Sequence, residues 1–106
     1  MTNKKWYRID FYLALMEPDE FTYERDIRQA VSLCVDLIGD CTIIPCIGSC
    51  MHYTGLRVQM NAFQIIKFID DKPEEFAYAV AEKLKKEFKQ NCVIANISEC
   101  QSLRFI

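Results

Sequence analysis

Histidine and tryptophan occur once each in this chain, and glycine and proline three times each. One histidine rules out a metal site built on several imidazoles. So few glycines rule out a glycine-rich phosphate cradle, whose backbone needs several residues without a Cβ. No charge of one sign dominates: 13 basic residues face 15 acidic ones, a formal net charge of −2. That balance provides no general field for nucleic acid or an anionic membrane. No apolar run approaches the ~18 residues of a membrane helix. The first ten residues, MTNKKWYRID, lack the apolar core of a signal peptide, so the expected location is cytoplasmic.

What is present describes one globular domain of 106 residues, 51% hydrophobic and 26% charged. At that length a core can form without disulfides or metal. The six cysteines read best as reduced thiols, several of them packed in the core.

Alternation is cleanest at Trp6–Met16. Tyr7, Ile9, Phe11, Leu13 and Leu15 share one face; Trp6, Arg8, Asp10, Tyr12, Ala14 and Met16 share the other. Pro18 breaks this strand. Helical spacing of Ile27, Ala30, Val31, Cys34 and Ile38 predicts a helix from Thr22 or Tyr23 to Ile38, closed by Gly39. Cys41–Ile47 reads as a strand interrupted by Pro45, followed by a corner from Gly48 to Gly55. Leu56–Ile69 reads as one long strand, with a bulge expected near Ala62–Gln64 because Ile65 and Ile66 are both apolar. Asp71 and Glu74 have capping-box spacing ahead of a second helix, whose stripe is Phe76, Ala77, Val80, Ala81, Leu84 and Phe88. Cys92–Ile97 is the next strand, Ser98–Ser102 a bulge or turn, and Leu103–Ile106 a short final strand or tail.

The order β-α-β-β-α-β predicts an α+β fold, a ferredoxin-like plait with two helices on one face of an antiparallel sheet. The other face is left open and carries Trp6, Arg8, Tyr12 and Met16. An open face with that much apolar surface is expected to be an interface, most simply between copies of the chain.

Four residues of the corner, Ser49, His52, Tyr53 and Thr54, offer hydroxyls, an imidazole and an aromatic platform to a ligand, and are the expected ligand-binding set. An ordinary long hairpin turn accounts for them almost as well. His52 is also the one candidate acid–base group, with Asp10 or Glu99 available to orient its ring. Cys41, Cys46, Cys50 and His52 could in principle hold zinc, but no paired CxxC spacing is present. Along a strand Cys46 and Cys50 stand about 13 Å apart. No metal or other cofactor is therefore expected, and no catalytic set is recognisable.

Two known versions of the plait can be set against these residues. RNA-recognition plaits carry a basic–Gly–aromatic pattern where this chain has LRVQMNAF. Acylphosphatases place a glycine-rich loop with an arginine after the first strand, where this chain has Glu17-Pro18-Asp19-Glu20. Neither activity fits. In size and element order the chain resembles the small stand-alone accessory proteins encoded by phages and mobile elements. That resemblance implies an inhibitor of host defence that binds a host protein or sequesters a small signalling molecule. The alternatives are a small cofactor-free enzyme using His52, and a zinc-binding regulatory module using the cysteines.

Overall fold

The computed structural model describes residues 4–16, 26–51 and 54–106. Its elements are β1 (Trp6–Ala14), α1 (Ile27–Ile38), β2 (Thr42–Met51), β3 (Arg57–Ile69), α2 (Pro73–Glu87) and β4 (Ile94–Cys100). The four strands form one antiparallel sheet in the order β2-β3-β1-β4. The fold is α+β, and both helices pack on the same side.

The alternation in β1 dictates which side that is. Ile9, Phe11, Leu13 and Leu15 are all at most 1% exposed. Their cross-strand neighbours on that face include Ile65 and Phe63 of β3 and Ile97 of β4. Ala30, Cys34 and Ile38 of α1 and Ala77, Val80 and Leu84 of α2, with Phe88 just beyond it, close over them. Phe11, Phe63 and Phe88, each at most 1% exposed, are the largest fully buried side chains of this layer.

Both helix starts depend on backbone detail. Asp26 caps α1, its carboxylate accepting from the N–H of Arg28 and Gln29 at 2.9 and 3.3 Å. The expected earlier start at Thr22 or Tyr23 lies outside the described residues, as does the Glu17–Glu20 break. At α2 the expected capping box is not formed. Lys72 occupies the cap position in a left-handed conformation without a side-chain bond, and Pro73 begins the helix. Glu74 and Glu75 supply the negative charge that the N-terminal dipole favours.

Three further expectations are corrected. The Gly48–Ser49 stretch is not a corner: β2 stays paired with β3 through Met51↔Arg57. The thirteen-residue β3 offers a continuous ladder, and satisfied backbone bonds override the weak strand preference of glycine and serine. There is no bulge at Ala62–Gln64, where the register with β1 runs unbroken. Ile65 enters the core and Ile66 the opposite face, so both being apolar reflects two partly covered faces. Ser98–Cys100 belong to β4 and pair with Arg8, Tyr7 and Trp6, while Leu103–Ile106 form no strand.

The pairs from Ile47↔Asn61 to Met51↔Arg57 run beyond the last β1 pair, Ala14↔Ala62. They form a two-stranded arm, and the molecule measures 56 × 26 × 22 Å. Ile47, Met51 and Leu56 on or beside this arm are 74%, 63% and 60% exposed.

Candidate functional site on the open sheet face

Strand register arranges the face away from the helices in rows. One row reads Ile44, Gln64, Tyr12, Ile94 across β2, β3, β1 and β4; the next reads Thr42, Ile66, Asp10, Asn96. Below them Phe68, Arg8 and Ser98 stand side by side, and Trp6 pairs with Cys100. Tyr12, Ile44, Phe68 and Ile94 each keep more than a third of their surface in water. A polar centre thus sits within an apolar and aromatic rim.

Asp10 anchors that centre. It is the one charged residue buried among the described residues, 5% exposed although it faces away from the helices. Arg8 lies two residues away on the same face and reaches back over it. Its Nε donates to Oδ2 at 3.0 Å and its Nη2 to Oδ1 at 2.9 Å, a side-on two-point pairing. Gln64 Nε2, from the neighbouring strand, donates to Oδ1 at 3.1 Å. The Arg8 hydrogen bonds hold the Asp10 carboxyl below the usual carboxylate range; burial works against them, and Gln64 adds to them. No buried side-chain nitrogen or oxygen among the described residues lacks a partner.

Beside this centre the chain's last residues turn onto the sheet. Phe105 meets Trp6 edge to face, with ring centroids 4.9 Å apart. Lys4, Trp6, Cys100 and the segment 101–104 wall a hollow of about 370 Å³. A second hollow, about 630 Å³, lies where β1 begins and α2 starts. Its lysines and aspartates offset one another, Lys4 pairing with Asp70 at 3.2 Å.

Two of the four residues expected to bind ligand fall within the described structure. Ser49 lies in β2 opposite Gln59, and Thr54 in the turn before β3; both are exposed. His52 and Tyr53 lie outside the described residues. The two carboxylates considered for orienting His52 have other partners, Asp10 in Arg8 and Gln64, and Glu99 in Lys5 at 3.7 Å. Of the four residues expected at an interface, Trp6, Arg8 and Tyr12 do share the open face. Met16 is 8% exposed and contributes little surface.

Cys46 and Cys50 are exposed on β2, and Cys41 is half-buried at its start. Among the described residues no group of three or more His, Cys, Asp or Glu is placed to hold a metal ion. Burial pushes the Cys34 thiol up to about 12, with Cys41 adding a smaller push. No described helix is long and apolar enough to cross a membrane.

Sequence reasoning missed Gln64 and the depth of Asp10. The available signal was an arginine and an aspartate at i and i+2, which period-two geometry puts on one face.

No protein-family model and no curated protein sequence matches the chain. Among solved structures, a phage SAM lyase in its apo state shares the fold, with a TM-score of 0.67 and 24% sequence identity. The alignment covers 93% of this chain and 84% of that one.

Proposed function

We propose that this chain is a phage-type protein that takes S-adenosylmethionine, SAM, as its ligand and removes it by cleavage, working as a homo-oligomer assembled through the open sheet face. The observation that carries this reading is the near-complete overlap in fold with a protein titled a phage SAM lyase. The strand order β2-β3-β1-β4 and the helices on one side support placing this chain in the ferredoxin-like plait. Depleting a methyl donor that host defence enzymes use would make the protein an anti-defence inhibitor.

The chemistry of the face suits such a ligand. SAM carries an adenine ring, a sulfonium cation and an amino-acid end. Trp6, Tyr12 and Phe68 offer aromatic surfaces, which stack with bases and attract cations through the ring quadrupole. The hollow beside Trp6 falls within the usual volume range of small-molecule sites. The sulfonium is already primed to leave as a neutral thioether. Cleavage balances without an added base when the ligand's own carboxylate oxygen bonds to the carbon that the sulfur leaves, giving a lactone and 5′-methylthioadenosine. A lyase therefore has mainly to hold the chain in a reactive conformation, which is a positioning task. Exposed Tyr12, Ile44, Phe68 and Ile94 give a second copy an apolar rim to cover, enclosing the ligand between subunits.

Sequestration without cleavage is the second reading. It is favoured by the polar centre of the face, where Asp10 is buried beneath Arg8 and is not presented as a free base. Incubating SAM with a small molar fraction of purified protein, followed by liquid chromatography, separates the two. Multiple turnovers to 5′-methylthioadenosine support cleavage. Intact SAM retained in proportion to protein supports sequestration. SAM that is neither consumed nor retained overturns both.

A further inference from the structure

We infer that Arg8 is the carboxylate-binding residue of the open face, held in place by Asp10 to receive the amino-acid end of the ligand; this rests on the SAM reading above. A guanidinium has five N–H donors. Asp10 engages two of them, Nε–H and one hydrogen of Nη2. Both hydrogens of Nη1 and the second on Nη2 meet no acceptor among the described residues. The Arg8 side chain is 41% exposed, whereas that of Asp10 is 7% exposed, so the pair presents its cationic edge outward.

An ion pair of this kind is a poor way to stabilise a sheet. The Arg8 bonds outweigh the burial of the Asp10 carboxylate, yet an apolar pair of similar volume would hold the sheet as well without taking a charge from water. Its structural consequence is orientation. Asp10, itself fixed by Gln64, holds the guanidinium so that its remaining planar fork faces away from the sheet. That fork matches the two oxygens of a carboxylate, whereas lysine offers only a point charge. Phe68 and Ser98 flank Arg8 on either side, giving an aromatic wall and a hydroxyl. Trp6 and Cys100, the next pair along, open into the hollow that Lys4 and Arg104 also line. A zwitterionic amino-acid end bound at Arg8 leaves the rest of an adenosyl ligand beside the aromatic rim.

The test compares two probes on the full chain. Sinefungin keeps the carboxylate and has no sulfonium to leave. Decarboxylated SAM keeps the sulfonium and lacks the carboxylate. Calorimetric titration is expected to show a preference of about 10- to 100-fold for sinefungin, the range of one charge-assisted recognition. Arg8→Lys, and the double variant Arg8→Gln with Asp10→Asn, should both lose that preference while binding decarboxylated SAM as before. The double variant leaves no unpaired buried charge, and melting curves verify that it folds. In the wild type, the ¹⁵Nε resonance of Arg8 should move with sinefungin and stay with decarboxylated SAM.

A preference that survives in the folded variants, or one absent from the wild type, overturns the assignment and leaves the SAM reading standing. Variants that change the subunit number without changing the preference also overturn it, and give Arg8 to a contact between copies. If neither probe binds the wild type, both readings fall together.

Discussion

Asp10 is the residue on which the open face is most finely balanced. Its carboxyl is held below the ordinary carboxylate range by Arg8. Its contribution to stability is therefore complete above the unfolded-state value near pH 4, and is lost as pH falls through the lower folded-state value. Acid unfolding followed by circular dichroism should show this loss in the wild type, and Asp10→Asn should flatten the curve over that acidic window. At neutral pH Asp10→Ala should cost about 1–3 kcal/mol in urea unfolding, because Gln64 loses its acceptor beneath Arg8. Gly39 is a second sensitive point. Its φ of 83° and ψ of −147° lie where residues with a Cβ are strained, although no close atom blocks a methyl there. Gly39→Ala should lower stability by about 1–3 kcal/mol from backbone strain alone.

At the scale of elements, β1 carries the sheet. It pairs on both edges, and its odd-numbered side chains form the floor of the core. Phe11→Ala should cost about 3–5 kcal/mol by emptying space in the core between sheet and helices, measured by thermal or denaturant unfolding. The β2–β3 arm is the opposite case. Ile47 and Met51 are largely in water, so replacing both by serine should change monomer stability by no more than about 0.5 kcal/mol each. If the arm reaches a second copy, the same substitutions should lower the subunit number seen by light scattering.

The difference between β1 and the arm also explains what could be read from the sequence. Strict alternation from Tyr7 to Leu15 identified the core face correctly, because burial against two helices selects it residue by residue. The α2 stripe, Ala77, Val80, Leu84 and Phe88, was legible for the same reason. The end of β2 was not. Gly48 and Ser49 look like a turn until the length of β3 opposite them is known. The Asp71 cap failed because Lys72 takes the cap position with a left-handed backbone, which residue identity does not announce. Trp6 against Phe105 and Gln64 against Asp10 join positions far apart in the chain, and no local pattern encodes either.

At the scale of the whole molecule, the fold leaves one side of its sheet with a polar centre, an aromatic rim and a hollow at its edge. In the proposed reading, SAM is the ligand of that surface. Self-association would give it a lid, turning an open face into an enclosed site where charged hydrogen bonds gain strength from exclusion of water. Both parts of this account meet in one measurement. Native mass spectrometry of the untagged protein, with and without SAM, reports subunit number and bound mass together. The account predicts an oligomer that carries SAM, or a fragment of it, in proportion to its subunits. A single chain that stays bare at millimolar SAM, while the nucleoside remains whole in solution, would contradict it.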